Sequence, residues 1–135
     1  MKTLKINGVN IALYPTTYTK NQRPALMGIV MSEEAAKANV PVNLCTADSI
    51  VISTNLPDTP MLYENEIFVD ENNHPRAAIA LVNAGVASYT ENIGFSGYCV
   101  YPSVALDMEA IKEYTPMTYE DEEEDMIDYD EDFDA

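Results

Sequence analysis

The amino-acid sequence predicts a small α+β domain with a mainly antiparallel sheet, followed by an acidic tail. Three observations favour this class: an opening β-hairpin, several short strand segments between turn residues, and short helical segments that begin at capping residues. The domain is assigned to residues 1–114, with one or two short helices, and residues 115–135 are predicted to form a disordered acidic C-terminal tail. A chain of 135 residues has room for one hydrophobic core.

The first element is a hairpin around Asn7-Gly8, a dipeptide that suits the two positive-φ positions of a type I′ turn. In that register Ile6 faces Val9 and Leu4 faces Ile11. The four side chains are therefore expected to form one continuous apolar face.

The later strands are expected where apolar and β-branched residues run between turn residues. Residues 15–23 are predicted to form a polar loop, and residues 55–60 another, because their two prolines cannot donate to a sheet. Gly28 is expected to allow a bend or close packing inside its strand. The predicted strands are Ala25–Met31, Val40–Cys45, Ser49–Ser53, Glu66–Val69 and Gly97–Leu106.

Three helical segments are indicated by their terminal residues. Ser32 precedes two glutamates and several alanines, which predicts a capped short helical turn. Pro75 suits the first position of a second helix, which Gly85 is expected to end. Asp107 is predicted to cap a third helix that continues to Tyr114.

Charge is distributed unevenly along this chain, whose formal net charge is -16. Residues 120–134 hold 11 of the 23 acidic residues and no basic residue, whereas residues 1–119 carry 12 acidic and 7 basic residues. The excess charge therefore lies at the C-terminus. Because it repels phosphate groups, direct binding to nucleic acid or to a membrane is disfavoured, and a basic protein surface is the favoured partner.

The cysteines and the N-terminus bear on the compartment. Cys45 and Cys99 have no second thiol near them in sequence, so we expect two reduced, partly buried side chains. No apolar leader segment follows Met1, and no apolar run approaches the ~18 residues of a membrane span. These features predict a cytoplasmic protein.

No arrangement of residues typical of catalysis is seen. His74 is the sole histidine, which excludes a histidine-based metal cluster or triad within one chain. Ser96 lies in a Gly-Phe-Ser-Gly segment without the spacing of a nucleophile elbow. We therefore expect a non-enzymatic protein without catalytic, cofactor-binding or metal-binding residues. An enzyme would need a site assembled from scattered carboxylates.

Four tyrosines, Tyr63, Tyr89, Tyr98 and Tyr101, suggest two alternatives. They would suit a recognition surface, because tyrosine offers a large contact area at low entropic cost. Alternatively, they are ordinary sheet residues. The sequence alone leaves both alternatives open.

Two segments of the chain, together with residues 54–58, resemble a known family. Residues 67–75 contain an Asp-x-Asn-Asn-x-Pro motif, and residues 96–102 read Ser-Gly-Tyr-Cys-Val-Tyr-Pro. In these motifs the chain is similar to an uncharacterised family of small proteins from conjugative elements and phages of gut anaerobes. The resemblance covers roughly residues 25–106 and implies a mobile-element or phage protein that works inside a bacterial host cell. It implies no activity, cofactor or catalytic residue.

The leading functional hypothesis is a protein that binds a basic, nucleic-acid-facing site on a host protein. Carboxylates would occupy the lysines and arginines that otherwise contact phosphates, as in anti-restriction or anti-CRISPR inhibition by DNA mimicry. The alternative is an accessory replication protein whose acidic and aromatic tail recruits partner proteins. The predicted partner-binding residues are Glu120, Asp121, Glu122, Glu123, Glu124, Asp125, Met126, Ile127, Asp128, Tyr129, Asp130, Glu131, Asp132, Phe133 and Asp134.

Overall fold

Eight β-strands of the described chain form two sheets of four strands, and every strand pair is antiparallel. The computed structural model describes residues 1–119. The strands are β1 (Leu4–Ile6), β2 (Val9–Thr17), β3 (Pro24–Val30), β4 (Ser49–Val51), β5 (Ser53–Thr54), β6 (Glu66–Val69), β7 (Ala87–Ser96) and β8 (Cys99–Leu106). The helices are α1 (Glu33–Lys37), α2 (Ala77–Asn83) and α3 (Met108–Ile111), followed by a 3-10 turn, Lys112–Tyr114. The predicted α+β class is confirmed.

The opening hairpin has the predicted register. Asn7-Gly8 adopts positive φ values of 53° and 82°, and Ile6 pairs with Val9 while Leu4 pairs with Ile11. The expected continuous apolar face is only partly buried. Three of the four side chains lie in the core, whereas Val9 beside the turn is 43% exposed.

The predicted loop at residues 15–23 is wrong at its start, because β2 continues through Thr17. Pro15 is tolerated there because β1 pairs only with residues 9–11, so one edge of β2 has no neighbour at the proline. The actual loop is shorter. It is closed by a hydrogen bond of 2.9 Å from the Tyr18 amide to the Arg23 carbonyl.

The predicted strand Val40–Cys45 is also wrong. Val42 forms an isolated bridge with Thr118, and the following residues form a turn. The Asn43 side chain accepts a hydrogen bond of 2.9 Å from the Cys45 amide. Such a local bond gives the backbone an alternative to a sheet ladder and explains the turn.

The two sheets are joined at one residue, Ile52. The predicted strand Ser49–Ser53 is divided there into β4 of the first sheet and β5 of the second. The Ile52 amide donates to the Leu26 carbonyl at 2.9 Å, and its carbonyl accepts from the Asp70 amide at 2.8 Å. Because its side chain is fully buried, this residue links both sheets through backbone bonds and packing.

The second sheet has the strand order β5-β6-β8-β7. The bounds of β6 agree with the prediction, and β8 lies within the predicted strand Gly97–Leu106. The long edge strand β7 was not predicted from the sequence. It pairs with β8 through a hairpin whose turn contains Gly97 at a φ of 62°.

The helices begin largely where their caps predict. The Ser32 hydroxyl accepts from the Ala35 amide, and the Asp107 carboxylate accepts from two amides in the first turn of α3. α2 starts at Ala77 rather than Pro75, because residues 70–74 form a separate turn in which the His74 amide donates to the Asp70 carbonyl at 2.9 Å.

Gly85 ends α2 as predicted. It has a φ of 81°, which favours glycine, and its amide donates to the Val82 carbonyl at 3.0 Å. The next amide, of Val86, donates to the Leu81 carbonyl at 3.2 Å. This pair of bonds is the Schellman arrangement that satisfies carbonyls at a helix end.

The main core lies between the sheets and α2, and it brings distant parts of the sequence together. Leu4 and Ile6 of β1 share one buried cluster with Ile111 and Tyr114. The Lys2 amide donates to the Glu113 carbonyl at 2.8 Å, which fixes β1 beside the 3-10 turn. Within residues 1–119 no helix is long and apolar enough to cross a bilayer.

The predicted boundary after Tyr114 falls inside the described chain. Pro116 is buried, the Val42 amide donates to the Met117 carbonyl at 2.8 Å, and Thr118 pairs with Val42. Residues 115–119 therefore contact the folded domain through the segment around Val42. The acidic residues 120–134 lie outside the described part of the chain.

Candidate protein interface

The β7–β8 hairpin extends beyond the rest of the second sheet. β6 pairs only with residues 103–105 of β8, so the hairpin from Ile93 to Pro102 has no third strand beside it. The two strands alone carry the outer half of this hairpin. Its side chains are therefore available on both faces unless a loop covers them.

One face of the outer hairpin is apolar and open. Phe95 lies opposite Val100 and Ile93 lies opposite Pro102, and side chains of opposite residues share a face. Ile93, Phe95 and Val100 are 48%, 63% and 53% exposed. We call these four side chains the hairpin face. A contiguous exposed apolar group of this kind is typical of a binding surface rather than of scattered surface residues.

The opposite face of the hairpin is covered. A Cβ added at Gly94 would lie 2.3 Å from Leu56 Cδ1 and 2.9 Å from Phe68 Cδ1, so only glycine fits there. The loop containing Leu56 is held by Arg23, whose Nη1 donates to the carbonyls of Leu56 and Thr59 at 2.8 Å. The sheet therefore has one packed face and one open face at this end.

A bulge in β7 separates the hairpin face from the core. Tyr89 pairs with Val104 and Ile93 pairs with Pro102, so residues 90–92 lie opposite a single β8 residue. Bulges of this kind redirect side chains and increase the local twist. Here the redirected side chains are Thr90 and Asn92, and both bind Glu66.

Glu66 is a buried carboxylate, with 1% of its surface exposed. Its Oε1 accepts from the Leu62 amide at 2.5 Å, and its Oε2 accepts from Thr90 Oγ1 at 3.2 Å, from Asn92 Nδ2 at 3.0 Å and from the Ser103 hydroxyl. Burial alone would raise the pKa of Glu66, but these hydrogen bonds outweigh it and hold the pKa below its ordinary value. The carboxylate thus ties the loop, the bulge and β8 together.

An open cavity of about 510 Å³ lies along the hairpin face. Its apolar wall is formed by Ile93, Val100 and Pro102, and Tyr89 contributes an aromatic ring. Glu71 is the one charged side chain in its lining. Chemically, the cavity suits a group that is apolar along its length and positively charged at one end.

The four tyrosines do not form one surface. Tyr89 lies on the cavity, and Tyr101 is opposite Gly94 on the other face of the hairpin. Tyr98 is fully exposed in the turn, and the Tyr63 hydroxyl donates to the Glu91 carboxylate at 3.0 Å. Tyr63, Tyr89 and Tyr98 are exposed without forming a shared tyrosine patch, and a recognition role for any of them stays a prediction.

The residues considered for chemistry are spread over the fold. Ser96 is the last residue of β7, and His74 lies in the bend before α2. Cys45 is exposed, Cys99 is half-buried, and neither forms a disulfide. No group of three metal-ligating side chains is found among residues 1–119. Ser96 lies opposite Cys99 in the β7–β8 hairpin, but His74 and Cys45 belong to other parts of the fold, so the four residues do not form one site.

The predicted partner-binding residues Glu120 to Asp134 are not among those that the structure describes. Sequence reasoning missed the hairpin face and Glu71. The available signal was the alternation of Ile93 and Phe95 with small or polar residues, which is the period of a strand. The bulge at residues 90–92 breaks this period, so the alternation does not by itself place Tyr89 on the same face.

Comparison of the chain with protein family models, with curated proteins and with solved structures gives no match. The resemblance to the small proteins of conjugative elements and phages therefore stays a prediction.

Proposed function

We propose that this chain is a non-enzymatic, cytoplasmic binding protein of a phage or mobile element. Its acidic segment, residues 120–134, engages a basic, nucleic-acid-facing site on a host protein. Inhibition of a restriction or CRISPR nuclease by DNA mimicry is the concrete form. The observation that carries the proposal is the placement of 11 acidic residues and no basic residue in that segment.

The charges of residues 1–119 also support a basic partner. Of its 12 acidic residues, Glu109 and Glu113 form ion pairs, with Lys112 and Lys2. The other carboxylates have no ion-pair partner in the described part of the chain. Closely spaced carboxylates that are not neutralised internally can occupy a site built for phosphates.

The experiment compares two full-length variants with the wild-type chain. In the first, the 11 acids of residues 120–134 become Asn or Gln, and in the second, Met126, Ile127, Tyr129 and Phe133 become Ser. Bacterial proteins captured by each chain are identified and then purified. Binding is measured at rising salt and with competing duplex DNA.

We expect slower association for the acid-neutralised variant, because charges steer the encounter with the partner. We expect faster dissociation for the serine variant, because apolar groups hold the bound complex together. DNA should compete for the same partner surface. Capture of the same proteins, at unchanged affinity, by the acid-neutralised variant would overturn the proposal. Capture of replication proteins without DNA competition would favour recruitment instead.

A further inference from the structure

The cavity beside the hairpin face is lined by Glu71, whose carboxylate has one unused oxygen. Glu71 Oε2 accepts from the Ala78 amide at 3.0 Å, which fixes the carboxylate at the first turn of α2. Its Oε1 accepts no hydrogen bond from any residue of the described chain. This oxygen is therefore held in place at the cavity and remains available as an acceptor.

No cation of the described chain serves this carboxylate. Residues 77–111 contain no lysine or arginine, and none lines the cavity. Arg76 is the nearest basic residue after Glu71 in sequence, but it lines a different groove with Lys5 and forms no ion pair with Glu71. The charge of Glu71 is thus complementary to a cation from outside.

Thr90, Asn92 and Ser103 also line the cavity, and its apolar part suits the stem of a long basic side chain. Ile93, Val100 and Pro102 offer an apolar wall for methylene groups, which basic side chains bury while their charged end stays hydrated or paired. Tyr89 is 51% exposed and its hydroxyl has no hydrogen-bond partner in residues 1–119. An aromatic ring favours a planar guanidinium over an ammonium, because the guanidinium can also stack.

We propose that this cavity binds an arginine side chain of a partner protein. The guanidinium donates to Glu71 Oε1 and stacks on Tyr89, while the stem packs on the hairpin face. The partner segment is therefore apolar with an arginine at its centre. This inference rests on the described residues and does not require the acidic segment 120–134.

The test uses the isotope-labelled full chain and an acetylated, amidated peptide, Gly-Val-Arg-Val-Gly. Backbone amide shifts of Glu71, Tyr89, Ile93 and Val100 are followed by NMR as the peptide is added. One matched peptide carries citrulline, which keeps the shape of arginine without its charge, and another carries lysine. The protein variants are Glu71→Gln and the control Glu91→Gln, which removes a nearby carboxylate outside the cavity.

We expect shifts centred on the cavity. Replacing arginine by citrulline in the peptide, or Glu71 by Gln in the protein, should raise the dissociation constant about three- to fivefold, which is the range of a partly exposed ion pair. Glu91→Gln should change the dissociation constant by less than twofold, and lysine should bind more weakly than arginine. Equal affinity for the Glu71→Gln and Glu91→Gln variants would overturn the proposal. So would shifts that avoid the cavity.

A second pair of variants tests the apolar wall. Val100→Ser should weaken the arginine peptide severalfold, whereas Val51→Ser, at an exposed position in β4 with 47% exposure, should not. Equal effects of these two changes would also refute the site. All these shifts are measured at amides of the cavity, so a negative result here leaves the capture experiment on residues 120–134 unaffected. The chain with neutralised acids should still bind the peptide.

Discussion

Glu66→Gln tests whether the buried carboxylate organises the second sheet. The change keeps the shape of the side chain and one acceptor oxygen. It places an amide nitrogen near Thr90, Asn92 and Ser103, which in the wild-type chain donate to Glu66 Oε2. Hydrogen bonds to a charged group contribute about 1 kcal/mol more than neutral ones. With three such bonds lost and some desolvation relieved, we expect a loss of about 2–3 kcal/mol in the free energy of unfolding.

The pH dependence gives the sharper measurement. The folded state lowers the pKa of Glu66, so the stabilisation is complete above the unfolded-state pKa of about 4.3. It is lost as the pH falls through the lower pKa of the folded state, because the unfolded chain binds more protons in that window. The stability difference between wild type and Glu66→Gln should therefore shrink toward zero on acidification.

Urea unfolding at pH 7, at pH 5 and below pH 4 measures this difference, with Glu91→Gln as the exposed control. A difference that stays constant over this range would refute the reasoning, because it would show that the ionised form of Glu66 carries none of the effect. Equal stability of the Glu66→Gln and Glu91→Gln variants at pH 7 would do the same.

Three further changes test the fold. Gly8→Val should cost about 1–3 kcal/mol in urea unfolding because it puts a β-branched residue at a φ of 82°, whereas Lys5→Val should stay within about 0.5 kcal/mol; similar costs would contradict the turn assignment. Gly28→Val should cost at least as much, since even a Cβ would lie 2.7 Å from Ile11 Cγ2; a neutral result would mean that the strands are packed less closely. Removal of residues 120–135 should leave the melting temperature unchanged or slightly raised. Removal of residues 115–135 should lower the melting temperature, because it breaks the pairing of Val42 with Thr118. Equal melting temperatures for the two truncated chains would place the domain boundary back at Tyr114.

Local signals predicted the elements whose geometry depends on one or two residues. Asn7-Gly8 determines a turn through its positive φ values, and Ser32, Asp107 and Gly85 determine helix ends through specific hydrogen bonds. These interactions act over a few residues, so a short stretch of sequence contains both partners of each one. The α+β class followed from them.

The errors arose where distant partners decide the structure. Pro15 lies in a strand because its neighbour β1 is short, and residues 44–46 form a turn although the apolar content of residues 40–45 favours a strand. β7 is rich in polar residues and contains Gly94, which is required by Phe68 across the sheet. The hairpin face could not be inferred before β7 and its register were known, and Glu71 joins it only through the fold.

Because β1 packs against the 3-10 turn at Lys112–Tyr114, the first sheet of a growing chain lacks part of its core until those residues have been made. A nascent chain ending near residue 60 holds four strands of that sheet, but the inner face of those strands still lacks α2 and the second sheet. Protease resistance of arrested nascent chains should therefore appear in one step, once Tyr114 has emerged, and resistance of a 60-residue nascent chain would contradict this.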